Sequence, residues 1–417
     1  MLSSLVRTYC DIFHIYIKYD NATIEGSRPF AVKCKMLLTA LVSSARNLFK
    51  GSYTDYSGEL HKAKHWFFVI HENNVESLKV VQKGIADSVF VSTYKMQVPN
   101  TIVLHYPLRM VYSLFSPVLF FLLWRKYPKT VWDNFHIMVP TLGIYSLSLR
   151  YLKKHRPESI TFANDHSPFP RALFLAAKSL GIKTIYLSHG ATSYHFPPLS
   201  YGLSLLEGEN MLDQYKLSGS VNSEVKLIGV PRLDEYVSHK NHSATVKKIG
   251  LCVNDVDDVS FTIALIESIK SKFPDLMLSF RQHPSDRRNF NISALFPDVV
   301  ISVFHQEKTY DFLMKQDMII AGDSTIHLEA CYVNVVACYF PLTADSKVDN
   351  DYYGFVEKKL LEKLVNKEDL FAYIKENTVS KKNVNAVVQY YNAVLGTSLE
   401  GKSGAYAIAC LKAYLQK

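Results

Sequence analysis

The 417-residue chain is poor in cysteine and has none of several short signatures that would settle its chemistry at once. Its six cysteines (Cys10, Cys34, Cys252, Cys331, Cys338 and Cys410) form no CxxC. Neither a disulfide framework nor a zinc ribbon is therefore expected, and most of the six sit among apolar neighbours as small hydrophobes. GxGxxG does not occur, which disfavours a dehydrogenase. HExxH and the EF-hand pattern are missing too, so catalysis without a protein-bound metal is the expectation. Long apolar runs are also lacking. The most apolar stretch, Val111–Trp124, is broken by Pro117 and followed by Arg125, Lys126 and Lys129. At about 14 residues it is shorter than the ~20 that span a bilayer. It reads either as a buried helix or as an interfacial segment with Trp124 and Tyr127 at headgroup depth. The first twenty residues hold no continuous apolar core and no small-residue cleavage site, so they do not read as a signal peptide.

What is present is ordinary in bulk and uneven in distribution. A hydrophobic share of 48% and a charged share of 20% belong to a folded globular chain, and the length suggests two domains. The net charge is +9. Residues 1–156 carry 20 Lys+Arg against 9 Asp+Glu, whereas the remainder carries 27 against 29. The whole excess is N-terminal, which suggests that one domain meets something anionic: nucleic acid, phospholipid or an acidic glycan. Residues 1–156 show no aromatic-interleaved RNA motif, so nucleic acid is the least favoured of the three. A cytoplasmic protein, peripheral at the inner face of the membrane, fits this balance.

Residues 1–150 show strand-like runs at Trp66–Ile70 and Ser88–Ser92 without a readable order. From about 157 the pattern becomes regular. Ser159–Ala163 reads as a strand, Pro170–Leu180 as a helix and Lys183–Leu187 as a strand, which is a βαβ unit and implies a parallel sheet. A second series follows: strand Lys248–Val253, helix Val259–Phe273, strands Leu276–Phe280, Val299–Ser302 and Met318–Ala321, helix Ile326–Tyr332 and strand Val335–Tyr339. The polar stretch Val237–Thr245 reads as the linker. The expected architecture is α/β, with one Rossmann-like domain over 1–240 and a second over 241–417. The last helix is a candidate to pack back on the first domain.

Ligands of parallel α/β sheets sit beyond the carboxyl ends of the strands, so the loops there carry the candidates. Leu276–Phe280 runs into Arg281, Gln282, His283 and Pro284; Met318–Ala321 runs into Gly322, Asp323, Ser324 and Thr325, with Glu329 one turn into the next helix. Ser324 or Thr325 is a candidate cap, and the amides there suit a phosphate. His283 could donate to the same phosphate, Arg281 is a further cation, and Glu329 could accept from ribose hydroxyls. In the first half, Ser159–Ala163 runs into Asn164, Asp165 and His166, and Lys183–Leu187 into Ser188, His189 and Gly190. Asp165 or His189 could serve as general base, and Gly190 would let backbone approach a ligand closely. Arg232, in the turn Gly229–Arg232, could face the ligand or pair with Asp234.

The order SHGAT, IGVPRLD, RQHP, GDSTIHLEA resembles GT-B glycosyltransferases of bacterial surface-polysaccharide synthesis. The nearest kin are the polysialyltransferase and Kdo-transferase types and the CDP-glycerol glycerophosphotransferases of teichoic acid synthesis. The resemblance covers roughly residues 157–340. It implies two Rossmann-like domains facing across a cleft, an HP motif at His283-Pro284 and a Ser-Thr motif at Ser324-Thr325 for the nucleotide phosphate, and ribose contact by Glu329. It also implies a His-Gly base at His189-Gly190. No D/E-D/E-G triplet of the sialyltransferase types is present. The implied reaction is an inverting, metal-independent sugar transfer to a surface-polysaccharide or lipid-linked glycan, without a cofactor, from a nucleotide-activated donor, CMP-linked by preference. Two alternatives stay open: a CDP-polyol phosphotransferase of teichoic-acid type, and a GT-B nucleotide-sugar epimerase.

Overall fold

A computed structural model describes residues 2–18, 29–49, 60, 62–93, 101–104, 116–188, 190, 192–343, 351 and 353–417. The chain forms two compact units. The first comprises Met1–Glu207, Met211–Arg232 and Gly404–Lys417; the second comprises Gly208–Asn210 and Leu233–Ser403.

The first unit is built on seven parallel strands: β1 (His65–Val69), β2 (Ser88–Ser92), β3 (Thr101–Val103), β4 (Ser159–Phe162), β5 (Lys183–Leu187), β6 (Leu203–Leu206) and β7 (Glu224–Leu227), in the order β3-β2-β1-β4-β5-β6-β7. Three of them lie in residues 1–150, where the sequence shows runs but no order. Their side chains explain the difficulty. Trp66, Phe67, Phe68 and Val69 are all buried, so β1 is covered on both faces and shows no alternation. Its partner β4 lies some ninety residues downstream, with His65 opposite Ser159 and Phe68 opposite Phe162. Helix Ser403–Gln416 returns to this unit: Ala407 and Leu411 join the core of Phe67, Val69 and Ile185, and the Ile408 side chain lies where a Cβ on Gly84 would stand.

The second unit has five parallel strands: β8 (Lys248–Val253), β9 (Met277–Gln282), β10 (Val300–Ser302), β11 (Met318–Ala321) and β12 (Val336–Tyr339), in the order β10-β9-β8-β11-β12. Runs such as Ile249–Val253 and Met318–Ala321 are buried throughout, as strands covered on both faces require. In each unit the first strand lies at the point where the winding reverses, between β2 and β4 in one sheet and between β9 and β11 in the other. Such switch points open a crevice beyond the carboxyl ends of the strands.

Of the apolar run Val111–Trp124, residues 111–115 lie outside the described residues. The rest belongs to helix Pro117–Lys126, which starts on Pro117 at its first position and buries Leu119 and Leu123 while exposing Phe121 and Trp124. Among the described residues no helix is long and apolar enough to cross a membrane. Cys252, Cys331 and Cys338 are buried and the other three cysteines half-buried, all of them free thiols.

Candidate active site

His283 and Ser324 do not stand on neighbouring strands, as their shared chemistry suggests. β8 runs between β9 and β11, with Cys252 paired to Arg281 on one side and to Ala321 on the other. The two motifs are therefore about 10 Å apart across one intervening strand, and the loop after β8, Asn254–Asp258, lies between them. That loop has no place among the sequence candidates, yet it joins the others. Asn254 Nδ2 donates to the Asp323 carbonyl (3.3 Å), and the His283 amide donates to the Val253 carbonyl (2.8 Å). Arg288 binds the carbonyls of Asn254 and Asp257 (2.6 Å each) and the carboxylate of Asp286. A Cβ on Gly322 would stand 3.0 Å from Asp257 Oδ1, so the β11 loop approaches the β8 loop as only glycine allows without a shift.

His283 lies at the surface of its loop with one tautomer favoured. Its Nδ1 accepts from the Ser285 amide (3.2 Å) and faces the Ser285 hydroxyl at 2.7 Å. A backbone N–H is always a donor, so in the neutral ring the proton sits on Nε2 and is free to be given away. Shielding of the ring from water holds the His283 pKa below the ordinary histidine value, against the opposing pull of Asp255 and Asp286. Pro284 follows, exposed.

Across β8, Thr325 is the residue before helix Ile326–Tyr332, and its side chain makes no capping hydrogen bond; Ser324 Oγ accepts weakly from the Ile326 amide at 3.4 Å. Both hydroxyls are half-buried. The loop is held from below by His327, fully buried, whose Nε2 donates to the Gly322 carbonyl (2.8 Å). Burial pushes the His327 pKa down to about 4, so this imidazole is a neutral brace. The GDSTIH spelling contains it, but a histidine inside an apolar helix reads as core until its partner is seen.

Arg281 is placed differently from the phosphate-binding cation of the sequence reading. Its guanidinium is buried, with Nη1 donating to Ser302 Oγ (2.5 Å) and Nη2 to the Glu307 carbonyl (3.1 Å), above the Phe312 ring at 5.2 Å. These two donors tie β9 to the end of β10 and the segment after it. Glu329, half-buried, is close enough to support the Arg281 charge. Asp257 is buried, and that burial raises its pKa to about 6.

In the first unit His189 lies outside the described residues. Ser188 before it is buried and donates to the Leu205 carbonyl from its amide (3.1 Å) and its hydroxyl (3.3 Å). Gly190 is half-buried, with no atom within 4 Å of the place a Cβ would take. Arg232 is half-buried on the turn Pro231–Leu233.

Asp165 is 1% exposed: Oδ2 accepts from the Tyr215 hydroxyl (2.5 Å) and Oδ1 faces His166 Nδ1 (3.2 Å). Burial and the Asp165 charge raise the pKa of Tyr215 and Tyr186 well above the ordinary phenol value, so both stay protonated donors. Asn164 Oδ1 accepts from the amides of His166 and Ser167, fixing the turn into helix Pro168–Ser179. His166 is half-buried, its ring stacked on Phe196 at 4.1 Å. Just past the end of the adjacent β1, burial and then the nearness of His166 lower the His71 pKa. Asp165 is thus walled in, and the group it orients is His166. The NDHSP turn spells this pair, but the tyrosine that completes it comes fifty residues later.

The sequence matches no protein-family model and no curated protein. Solved structures do resemble it. The Staphylococcus aureus MnaA–UDP co-structure aligns with TM-score 0.56 and 11% identity over 85% of this chain and 97% of that one. The wall teichoic acid polymerase TagF soaked with CDPG aligns with TM-score 0.53 and 11% identity over 93% and 99%. The Methanocaldococcus jannaschii UDP-GlcNAc 2-epimerase in complex with UDP-GlcNAc and UDP aligns with TM-score 0.51 and 16% identity over 84% and 99%. The fold is GT-B. Identities this low speak for the fold alone.

Proposed function

We propose that this chain is a GT-B enzyme acting on a nucleotide-activated substrate: a glycosyltransferase that moves a sugar to a surface-polysaccharide or lipid-linked glycan at the inner face of the cytoplasmic membrane. The observation that carries the reading is the second switch point. His283 Nε2–H and the hydroxyls of Ser324 and Thr325 flank the β8 loop there, all on one sheet edge. A leaving nucleotide phosphate needs donors that gain strength as charge develops, and these are such donors. Glu329 is offered to the ribose.

In the first unit His166, oriented by Asp165, is the described group suited to take a proton from the acceptor hydroxyl, with His189 as its sequence neighbour at the next strand end. The acceptor oxygen attacks the anomeric carbon and the nucleotide departs in one inverting displacement. A CMP-linked donor is preferred. The TagF structure, soaked with CDPG, supports cytidine and covers more of this chain than the epimerases do. The polyol-phosphate transfer and epimerase readings remain the competitors.

A thermal-shift panel of CMP, CDP, UDP and GDP tests this. Stabilisation by the cytidine nucleotides is expected; stabilisation by UDP alone overturns the cytidine preference, and no response to any nucleotide overturns the reading. A phosphorus-containing mass increment on the product would assign polyol-phosphate transfer, and turnover of the donor without acceptor would assign epimerisation.

A further inference from the structure

The chain has three tryptophans. Trp66 is fully buried in the first core, but Trp132 is 61% exposed and Trp124 48%, against the high average burial of tryptophan. The exposed pair stand on consecutive helices, Pro117–Lys126 and Pro128–Thr141, which pack on each other; the second of these also packs on helix Phe30–Phe49. Trp132 is stacked on Phe30 (5.4 Å between ring centres, 11° between planes), and Phe121 lies 6.2 Å from Trp124. Phe30, Phe121 and Leu38 are themselves more than half exposed. Bulky side chains on one helical layer thus face outward, while Leu119 and Leu123 mark a separate buried side on helix Pro117–Lys126.

The charge on the same helices is lopsided. Helices Leu2–Ile12, His14–Lys18, Phe30–Phe49, Pro117–Lys126 and Pro128–Thr141 contain eight Lys and Arg but only two acids, Asp11 and Asp133. Each acid is paired with a nearly buried cation: Asp11 with Arg171 at 2.6 Å, and Asp133 with Lys33 at 3.7 Å. The exposed cations Arg7, Arg125 and Lys126 therefore have no acid left on these helices to balance them. Arg7 is close enough to Lys126 to oppose its charge.

We propose that this helical layer docks on the surface of an anionic phospholipid bilayer, with Phe121, Trp124, Trp132 and Leu38 in the headgroup boundary and Arg7, Arg125 and Lys126 on lipid phosphates. Exposed indole and phenyl rings favour that boundary, where one side is apolar and the other wet, and adjacent Lys and Arg are drawn by the negative surface potential. A second copy of the chain would bring the same cations against themselves, and nucleic acid would leave the aliphatic side chains without a partner. A bilayer of anionic lipid satisfies both halves of the surface.

The test is partition of the full chain onto vesicles of phosphatidylcholine alone and of phosphatidylcholine with phosphatidylglycerol. Partition onto the anionic vesicles, weakened by salt, is expected, with at least about tenfold less on the neutral ones. With Trp66 buried, quenching of the tryptophan emission by brominated lipid reports Trp124 and Trp132. Phe121→Glu/Leu38→Glu, which alters no tryptophan and two exposed positions, should abolish both partition and quenching; Arg125→Glu/Lys126→Glu serves as the second variant should the first misfold. Equal partition onto both vesicle types, partition without quenching, partition unchanged in the variants, or a concentration-dependent dimer without vesicle binding would each overturn the proposal.

Discussion

The two sheets are wound alike and treat charge in opposite ways at their carboxyl edges. At β1 and β4 a carboxylate is buried among phenols, and an imidazole is left as the group in reach of solvent. At β8 and β11 two arginines serve the fold: Arg288 clamps Asp286 and two carbonyls, and Arg281 serves Ser302 and Glu307, while the candidate phosphate donors are an imidazole N–H and hydroxyls. In the proposed reaction one edge accepts a proton and the other donates hydrogen bonds to an anion. That difference lies in the loops and not in the sheet order.

The sharpest way to break that division is at Asp165. Asp165→Asn turns one of the two carboxylate acceptors into an NH2 donor, so that Tyr215 and His166 Nδ1–H can no longer both be satisfied, and His166→Gln removes the imidazole itself. With the donor that the nucleotide panel identifies, turnover should fall about 10²–10⁴-fold in either variant. Nucleotide-induced stabilisation should be unchanged. Loss of turnover and nucleotide binding together would show that the two edges are not separate in function.

Arg281 tests the other edge. Arg281→Met leaves Ser302 and Glu307 without their buried partner and should lower unfolding free energy by about 3 kcal/mol in a denaturant titration. Nucleotide affinity of the folded variant should change little. Unaltered stability with lost affinity would return Arg281 to the role its position after a strand suggested.

That contrast shows what kind of information a single sequence carries. β5, β8 and β11 and helix Ile326–Tyr332 match their sequence spans to the residue, because buried β-branched runs bounded by turn residues are local signals. The order of β1, β2 and β3 was illegible because pairing of β1 with β4 is a contact across some ninety residues and neither strand alternates. The site divided in the same manner. The spellings HP, GDST and NDHSP mark strand-end loops, and loops are where local chemistry shows. Whether an arginine at the carboxyl end of a strand faces a ligand or its own sheet depends on what the neighbouring strand offers, here Ser302, and a sequence does not show its neighbour. The Asn254–Asp258 loop was passed over since its bracing residue, Arg288, comes thirty positions later.

A smaller effect concerns Asp257, whose burial raises its pKa from 3.8 to about 6. Between those values the folded form keeps a proton that the unfolded chain has released. Stability tied to this group is therefore complete below about pH 4, falls as pH rises towards 6, and stays lost above it. The span corresponds to about 2–3 kcal/mol. Asp257→Asn, still able to accept from the Asn254 amide, should flatten that part of the stability–pH curve. An unchanged curve would show that another group sets it.

The smallest expected effect bears on the central residue. His283→Ala removes one Nε2–H donor to a phosphate, and one hydrogen bond to a charged group is worth about 1.5 kcal/mol, or roughly tenfold in affinity. A phosphate held by an imidazolium would bind progressively less well as the ring lost its proton. The His283 pKa already lies below the ordinary histidine value, and its Nδ1 is filled by the Ser285 amide. The donor it presents is the same on either side of neutrality. The ratio of wild-type to His283→Ala affinity, read by nucleotide titration, should thus stay constant between about pH 7 and pH 8. A ratio that falls with rising pH would mean that the protonated ring does the binding, and that the second edge works by charge after all.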